Sequence, residues 1–139
     1  MGRRALTKIF LDSSYVIALV NHKDQHHEQA MEMARVLGEN SLVTTDAILL
    51  KIGNGLARNF KAEAIGVIEE FLSSGEVQII SVDTRLFQKG FDLYKSFQDK
   101  AWGLIDCISF VVMGEHGIAD AMTTDRHFEQ AGFNALLKS

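Results

Sequence analysis

Three aspartates stand where they could do hydrolytic chemistry: Asp12, Asp106 and Asp125. Asp12 ends the run Lys8-Ile9-Phe10-Leu11-Asp12, and Asp125 follows the run Ile118 to Thr124; both runs read as short strands. Asp106 lies in the first turn of an apolar helix expected over Gly103 to His116, with Gly117 closing it. A carboxylate in that turn gains about 0.3–1 kcal/mol from the helix N-terminus. Clustered carboxylates repel one another, and desolvation penalises their charged forms. A divalent cation with a preference for oxygen ligands, Mg²⁺ or Mn²⁺, relieves both costs and can activate water at a phosphodiester. Three acids gathered at one end of a sheet therefore point to metal-assisted phosphodiester hydrolysis. Each also has a plain structural reading: Asp12 as a strand end and helix cap, Asp106 as a dipole complement, Asp125 as a turn residue. Spacing alone does not bring the three together.

The elements that would position them alternate along the chain. After the first strand, Ser13-Ser14 open a helix through Val20, and Asp24 is placed to cap a helix with Ala30, Met33, Ala34 and Leu37 on one face and Gly38 at its end. A strand over Ser41 to Thr45 follows, then a helix capped by Asp46 with Ile48, Leu49, Ile52 and Leu56 inward, and a helix over Ala62 to Leu72. Val77 to Val82 reads as a strand, Asp83 caps a helix through about Phe97, and Phe133 to Leu137 makes a short last strand. Strands alternating with helices imply crossover connections and a mostly parallel sheet. In such sheets ligands bind outside the carboxyl ends of the strands, where Asp12 and Asp125 fall.

Composition bounds the reading further. The chain has 139 residues, 47% of them hydrophobic, which is enough for one core, so residues 1–139 are expected to form a single α/β domain. Cys107 is the only cysteine, which excludes an intrachain disulfide. Arg3, Arg4 and Lys8 precede no long apolar run, so no signal peptide is expected, and the chain reads as cytoplasmic. A net charge of −4 is not the footprint of a general nucleic-acid binder.

The segments that carry the aspartates resemble those of PIN domains. Phe10-Leu11-Asp12-Ser13-Ser14-Tyr15-Val16-Ile17-Ala18-Leu19 is similar to the opening strand and helix of that family. Trp102-Gly103-Leu104-Ile105-Asp106-Cys107-Ile108-Ser109-Phe110 resembles its second aspartate-bearing segment. Ala121-Met122-Thr123-Thr124-Asp125-Arg126-His127-Phe128, then Ala131-Gly132-Phe133, resembles its closing motif. The resemblance implies a three-layer sandwich with a mostly parallel central sheet flanked by helices. It further implies a Mg²⁺- or Mn²⁺-dependent endoribonuclease of the VapC toxin type, held inactive by a small antitoxin protein. On that pattern Asp12, Asp106 and Asp125 are the metal ligands, and Ser13 and Thr124 support them through their hydroxyls. A homodimer is a further expectation of the family.

One position departs from the pattern. PIN domains usually carry a glutamate on the helix after the second strand, and in Thr45-Asp46-Ala47-Ile48-Leu49-Leu50-Lys51-Ile52-Gly53-Asn54 that place is taken by Lys51. The exchange changes the charge by two units, and at about 4 Å and an effective dielectric of about 20 each unit pair amounts to roughly 4 kcal/mol. A lysine there competes with a cation for the same carboxylates, so the chain is expected to bind metal weakly and cleave poorly. The opposing expectation has Lys51 in solvent and Asp46 or Asp99 in the vacant role. A different class of function also follows from Lys51: a scaffold kept for protein or RNA binding without cleavage.

Other constellations carry less. His22, His26 and His27 lack the further ligands that a zinc site needs, Cys107 has the apolar flanks of an inert thiol, and Asp99 with Lys100 reads as a solvated pair. A haloacid-dehalogenase-type phosphatase would want an aspartate where Ser14 stands, and a response-regulator receiver would want an early acidic pair, which is absent.

Overall fold

The structure is a computed structural model that describes residues 7–37 and 40–138; Arg3, Arg4 and Gly38 lie outside them. Its strands are β1 (Lys8–Leu11), β2 (Ser41–Thr45), β3 (Val77–Ile80), β4 (Asp120–Met122) and β5 (Asn134–Ala135). Its helices are α1 (Ser13–Val20), α2 (His27–Val36), α3 (Asp46–Leu56), α4 (Lys61–Ser73), α5 (Thr84–Ser96), α6 (Leu104–Glu115) and α7 (Arg126–Gln130). The strands form one five-stranded sheet in the order β3-β2-β1-β4-β5, with every pairing parallel. The mostly parallel α/β sandwich expected from the alternation is therefore present.

The order explains the layers. Right-handed crossovers that step from β1 to β2 to β3 place α1 to α4 on one face. The return from β3 to β4, and the step to β5, place α5 to α7 on the other. The helix contacts agree: α1 packs on α2 and α3, and α3 on α4, while α6 packs on α5 and α7. β1 is central, so Ile9, Phe10 and Leu11 are all buried, as a strand covered on both faces requires. On the α5–α7 side Phe110 packs edge-on to Phe128, with ring centroids 5.0 Å apart.

Several boundaries differ from the sequence expectation for local reasons. The helix expected from Asp24 begins at His27, because Asp24 Oδ1 accepts from the His26 N–H at 2.8 Å and closes a turn first. Thr45 caps α3 by accepting from the Ile48 N–H, and Asp46 instead accepts from the Val82 N–H at 3.0 Å, tying α3 to the end of β3. Asp83 caps α5 as expected, accepting from the Leu86 N–H, and Gly117 closes α6 with φ 65°. β4 is three residues long instead of seven, and α7 is a helix that the sequence pattern does not announce. At five residues α7 is too short for a periodic apolar signal.

The α5–α6 contact is unusually close. A Cβ on Gly90 would lie 2.5 Å from Ile108 Cγ1 and 3.2 Å from its Cα, so the helices meet where a side chain is missing. A Cβ on Gly66, in α4, would meet nothing within 4 Å. Both substitutions to alanine gain helix propensity, about 1 kcal/mol, but only Gly90→Ala incurs overpacking of roughly 1–3 kcal/mol. Urea unfolding should show Gly66→Ala as stabilising and Gly90→Ala as destabilising; equal stabilisation by both would refute the close contact.

Candidate active site

Asp12 follows β1 and is almost fully buried, at 3% exposure. Its N–H donates to Met122 O at 3.2 Å, which fastens it to β4. The register pairs Leu11 with Met122, so the next residues, Asp12 and Thr123, stand side by side. Thr123 Oγ1 donates to Asp12 Oδ2 at 2.7 Å, and Ser14 Oγ donates to the same oxygen at 2.8 Å. Ser14 also accepts from the Thr124 N–H, and Thr123 from the Asp125 N–H. The hydroxyls on Asp12 are thus Ser14 and Thr123. Ser13 and Thr124, the neighbours expected to support the site, make no side-chain hydrogen bond to Asp12; Ser13 is buried in the first turn of α1, and Thr124 reaches Ser14 through its backbone.

Asp106 enters from α6, where its Oδ2 accepts from the Gly103 N–H at 3.1 Å. Asp125 caps α7, accepting from the His127 N–H at 2.9 Å. His127 then turns its ring back: Nδ1 lies 3.1 Å from Asp106 Oδ2 and 3.3 Å from Asp125 Oδ1. A proton on Nδ1 satisfies both carboxylates. Asp106, Asp125 and His127 each place one ligand atom within 4.8 Å of the others. His127 is a site residue beyond those expected from the sequence, and its place two residues after Asp125 is the one local signal for it.

Burial pushes the Asp12 carboxyl above its ordinary value, although the hydroxyls of Thr123 and Ser14 and the charge of Lys51 pull it down; Asp106 adds to the rise. Lys51 lies on the exposed side of α3, yet its charge acts on Asp12. Neither alternative acid joins the site: Asp46 is engaged by Val82 and Asp99 stands in solvent beside Lys100. Cys107 is fully buried, and burial, then the charge of Asp106, raises its thiol.

The donor set fits a hard divalent cation. Asp12 and Asp106 are anchored through Oδ2 and Asp125 through Oδ1. Among the described residues no hydrogen bond falls on the second oxygen of any of the three; the ligand atoms that lie within 4.8 Å of one another are those of Asp106, Asp125 and His127, and Asp12 adjoins that group through its charge interaction with Asp106.

The family profile of the PIN domain matches residues 9–134. The chain belongs to the PIN-domain family. Among solved structures it is similar to VapC20 of Mycobacterium tuberculosis, a toxin that cleaves the sarcin-ricin loop, at 25% identity and TM-score 0.82, covering 90% of this chain and 95% of that one. The VapBC complex of Salmonella typhimurium, bound to DNA, shares the fold at 16% identity and TM-score 0.61, covering 94% of this chain and 97% of that one. FitAcB of Neisseria gonorrhoeae shares it at 14% identity and TM-score 0.60, covering 91% of this chain and 94% of that one. No curated protein matches the chain in sequence.

Because the folded Asp12 holds its proton to higher pH than the unfolded chain does, its contribution to stability is greatest below the ordinary carboxylate range. That contribution declines as pH rises through the folded value. Asp12→Asn keeps an acceptor for Thr123 and Ser14 but removes the buried charge. In metal-free buffer at neutral pH it should raise the melting temperature by about 2–5 °C and abolish any further rise on adding Mn²⁺. Calorimetry showing a large fall would mean that the charge itself holds the fold.

Proposed function

We propose that this chain is a metal-dependent endoribonuclease, the toxin of a cytoplasmic toxin–antitoxin pair, with cleavage weakened by Lys51. The observation that carries the reading is the set of three aspartates, each anchored by one oxygen and open at the other, at the carboxyl ends of β1 and β4 and the start of α6. Asp12, Asp106 and Asp125 would hold Mg²⁺ or Mn²⁺, which would supply activation of water and neutralisation of phosphate charge. The protein's own groups do the positioning. Ser14 and Thr123 fix the Asp12 carboxylate, Gly103 fixes Asp106, and His127 holds Asp106 and Asp125 at one distance. Family membership and the likeness to a toxin that cuts RNA support RNA as substrate, and the VapBC likenesses support an antitoxin partner. A homodimer is consistent with the exposed apolar residues of α5. Among the described residues no helix is long and apolar enough to cross a membrane.

Lys51 supports a second reading. Its charge already lowers the Asp12 carboxyl, the work that a cation would do, so the fold can stand as a binding module without cleavage.

Cleavage of a mixed RNA pool in Mg²⁺ or Mn²⁺ separates these, with Asp12→Asn as the blank. Lys51→Glu is expected to raise the rate at least about tenfold, the value of about 1.4 kcal/mol in the barrier. Equal rates would remove Lys51 from the metal's surroundings, and no cleavage by either folded protein would favour the binding module.

A further inference from the structure

We infer that the aromatic pocket beside Asp106 is a nucleobase subsite, holding an unpaired base of the RNA next to the phosphodiester to be cut. The inference rests on the ribonuclease reading above. The pocket, of about 500 Å³, lies between the end of α5 and the start of α6 and is lined by Tyr94, Phe97, Gln98, Lys100, Trp102 and Gly103. Its last lining residue touches the acidic site directly, since the Gly103 N–H donates to Asp106 Oδ2. A base in the pocket would therefore adjoin the carboxylates.

The walls suit a flat aromatic ligand. Tyr94 and Phe97 are 44% and 40% exposed, large rings left in water. Behind them Trp102 is buried and fixed: its indole N–H donates to Gln130 Oε1 at 2.9 Å, its ring lies 5.0 Å from Phe97, and it meets Phe110 edge-on at 5.2 Å. Gln130 belongs to α7, the helix that carries His127, so one hydrogen bond ties the pocket wall to the other side of the acidic cluster. The Gln98 amide offers both a donor and an acceptor to a base edge, and Lys100, paired with Asp99 at 3.7 Å, sets a cation at the rim. Charge argues the same way. A net charge of −4 gives the chain no overall attraction for RNA, and base stacking is a contact that acidic charge does not oppose.

Trp102 is the only tryptophan, so tryptophan fluorescence comes from the wall of this pocket. The probes are 2′-O-methyl RNA tetranucleotides of mixed sequence, which resist cleavage, and abasic chains of the same length, titrated into the full chain without divalent metal. The base-bearing probes should quench Trp102 saturably and the abasic ones should not. Phe97→Ala and Tyr94→Ala, both at exposed positions, should each weaken the response about tenfold. An equal response to abasic probes, or undiminished affinity in both variants, would overturn the subsite. So would a silent titration in which Phe97→Ala turns a dimer into a monomer on sedimentation, since the face would then belong to a second copy. The two readings fail separately: quenching without cleavage by Lys51→Glu sinks the ribonuclease and keeps the subsite, and cleavage without quenching does the reverse.

Discussion

The parallel pairing of β1 with β4 brings together residues more than a hundred positions apart and creates the crevice on which the site depends. Because the sheet runs β3-β2-β1-β4-β5, chain connections leave β1 and β4 in opposite directions, and the space beyond their carboxyl ends stays open. The Asp12 N–H bonded to Met122 O extends that pairing by one residue, and the side chains of Asp12 and Thr123 meet as a direct result. Shifting the register by one residue would take Thr123 away from Asp12. The short length of β4 is consistent with this, since the chain must leave the sheet at Thr123 for Asp125 to begin α7.

Burying carboxylates against one another sets a conflict between folding and chemistry. Around Asp12 the direct donors are neutral hydroxyls, which lower its carboxyl less than burial raises it. Positive charge reaches Asp12 from Lys51, on the exposed side of α3, while the His127 ring stands between Asp106 and Asp125. A cation shared by the free oxygens would resolve the conflict, and a lysine in the same field resolves part of it without one. The charge of residue 51 thus acts on the same carboxylate that burial penalises.

The α5–α7 side of the sheet supplies rigidity where the site requires it. Gly90 lets α5 approach the backbone of Ile108, two residues beyond Asp106, and Glu115 at the far end of α6 takes both Arg85 and Lys89 of α5. Those ion pairs hold the Glu115 carboxyl down, at about 2. The helix that presents Asp106 is therefore gripped at both ends, and the aromatic pocket forms where α5 finally parts from it.

By itself the sequence determined the alternation of strands and helices, the parallel sheet it implies, the order of the aspartate-bearing segments and the lysine at position 51. These are local or periodic properties: apolar spacing, capping aspartates such as Asp83, and glycine at 117 are written within a few residues of where they act. Tertiary structure alone decided which hydroxyls serve Asp12, that Asp46 turns to Val82, and that His127 folds back onto two carboxylates. Thr123 and Thr124 are chemically the same in the sequence, and so are Ser13 and Ser14. Only strand register and the direction in which each side chain leaves the backbone tell them apart, and those are fixed by pairing across distant parts of the chain.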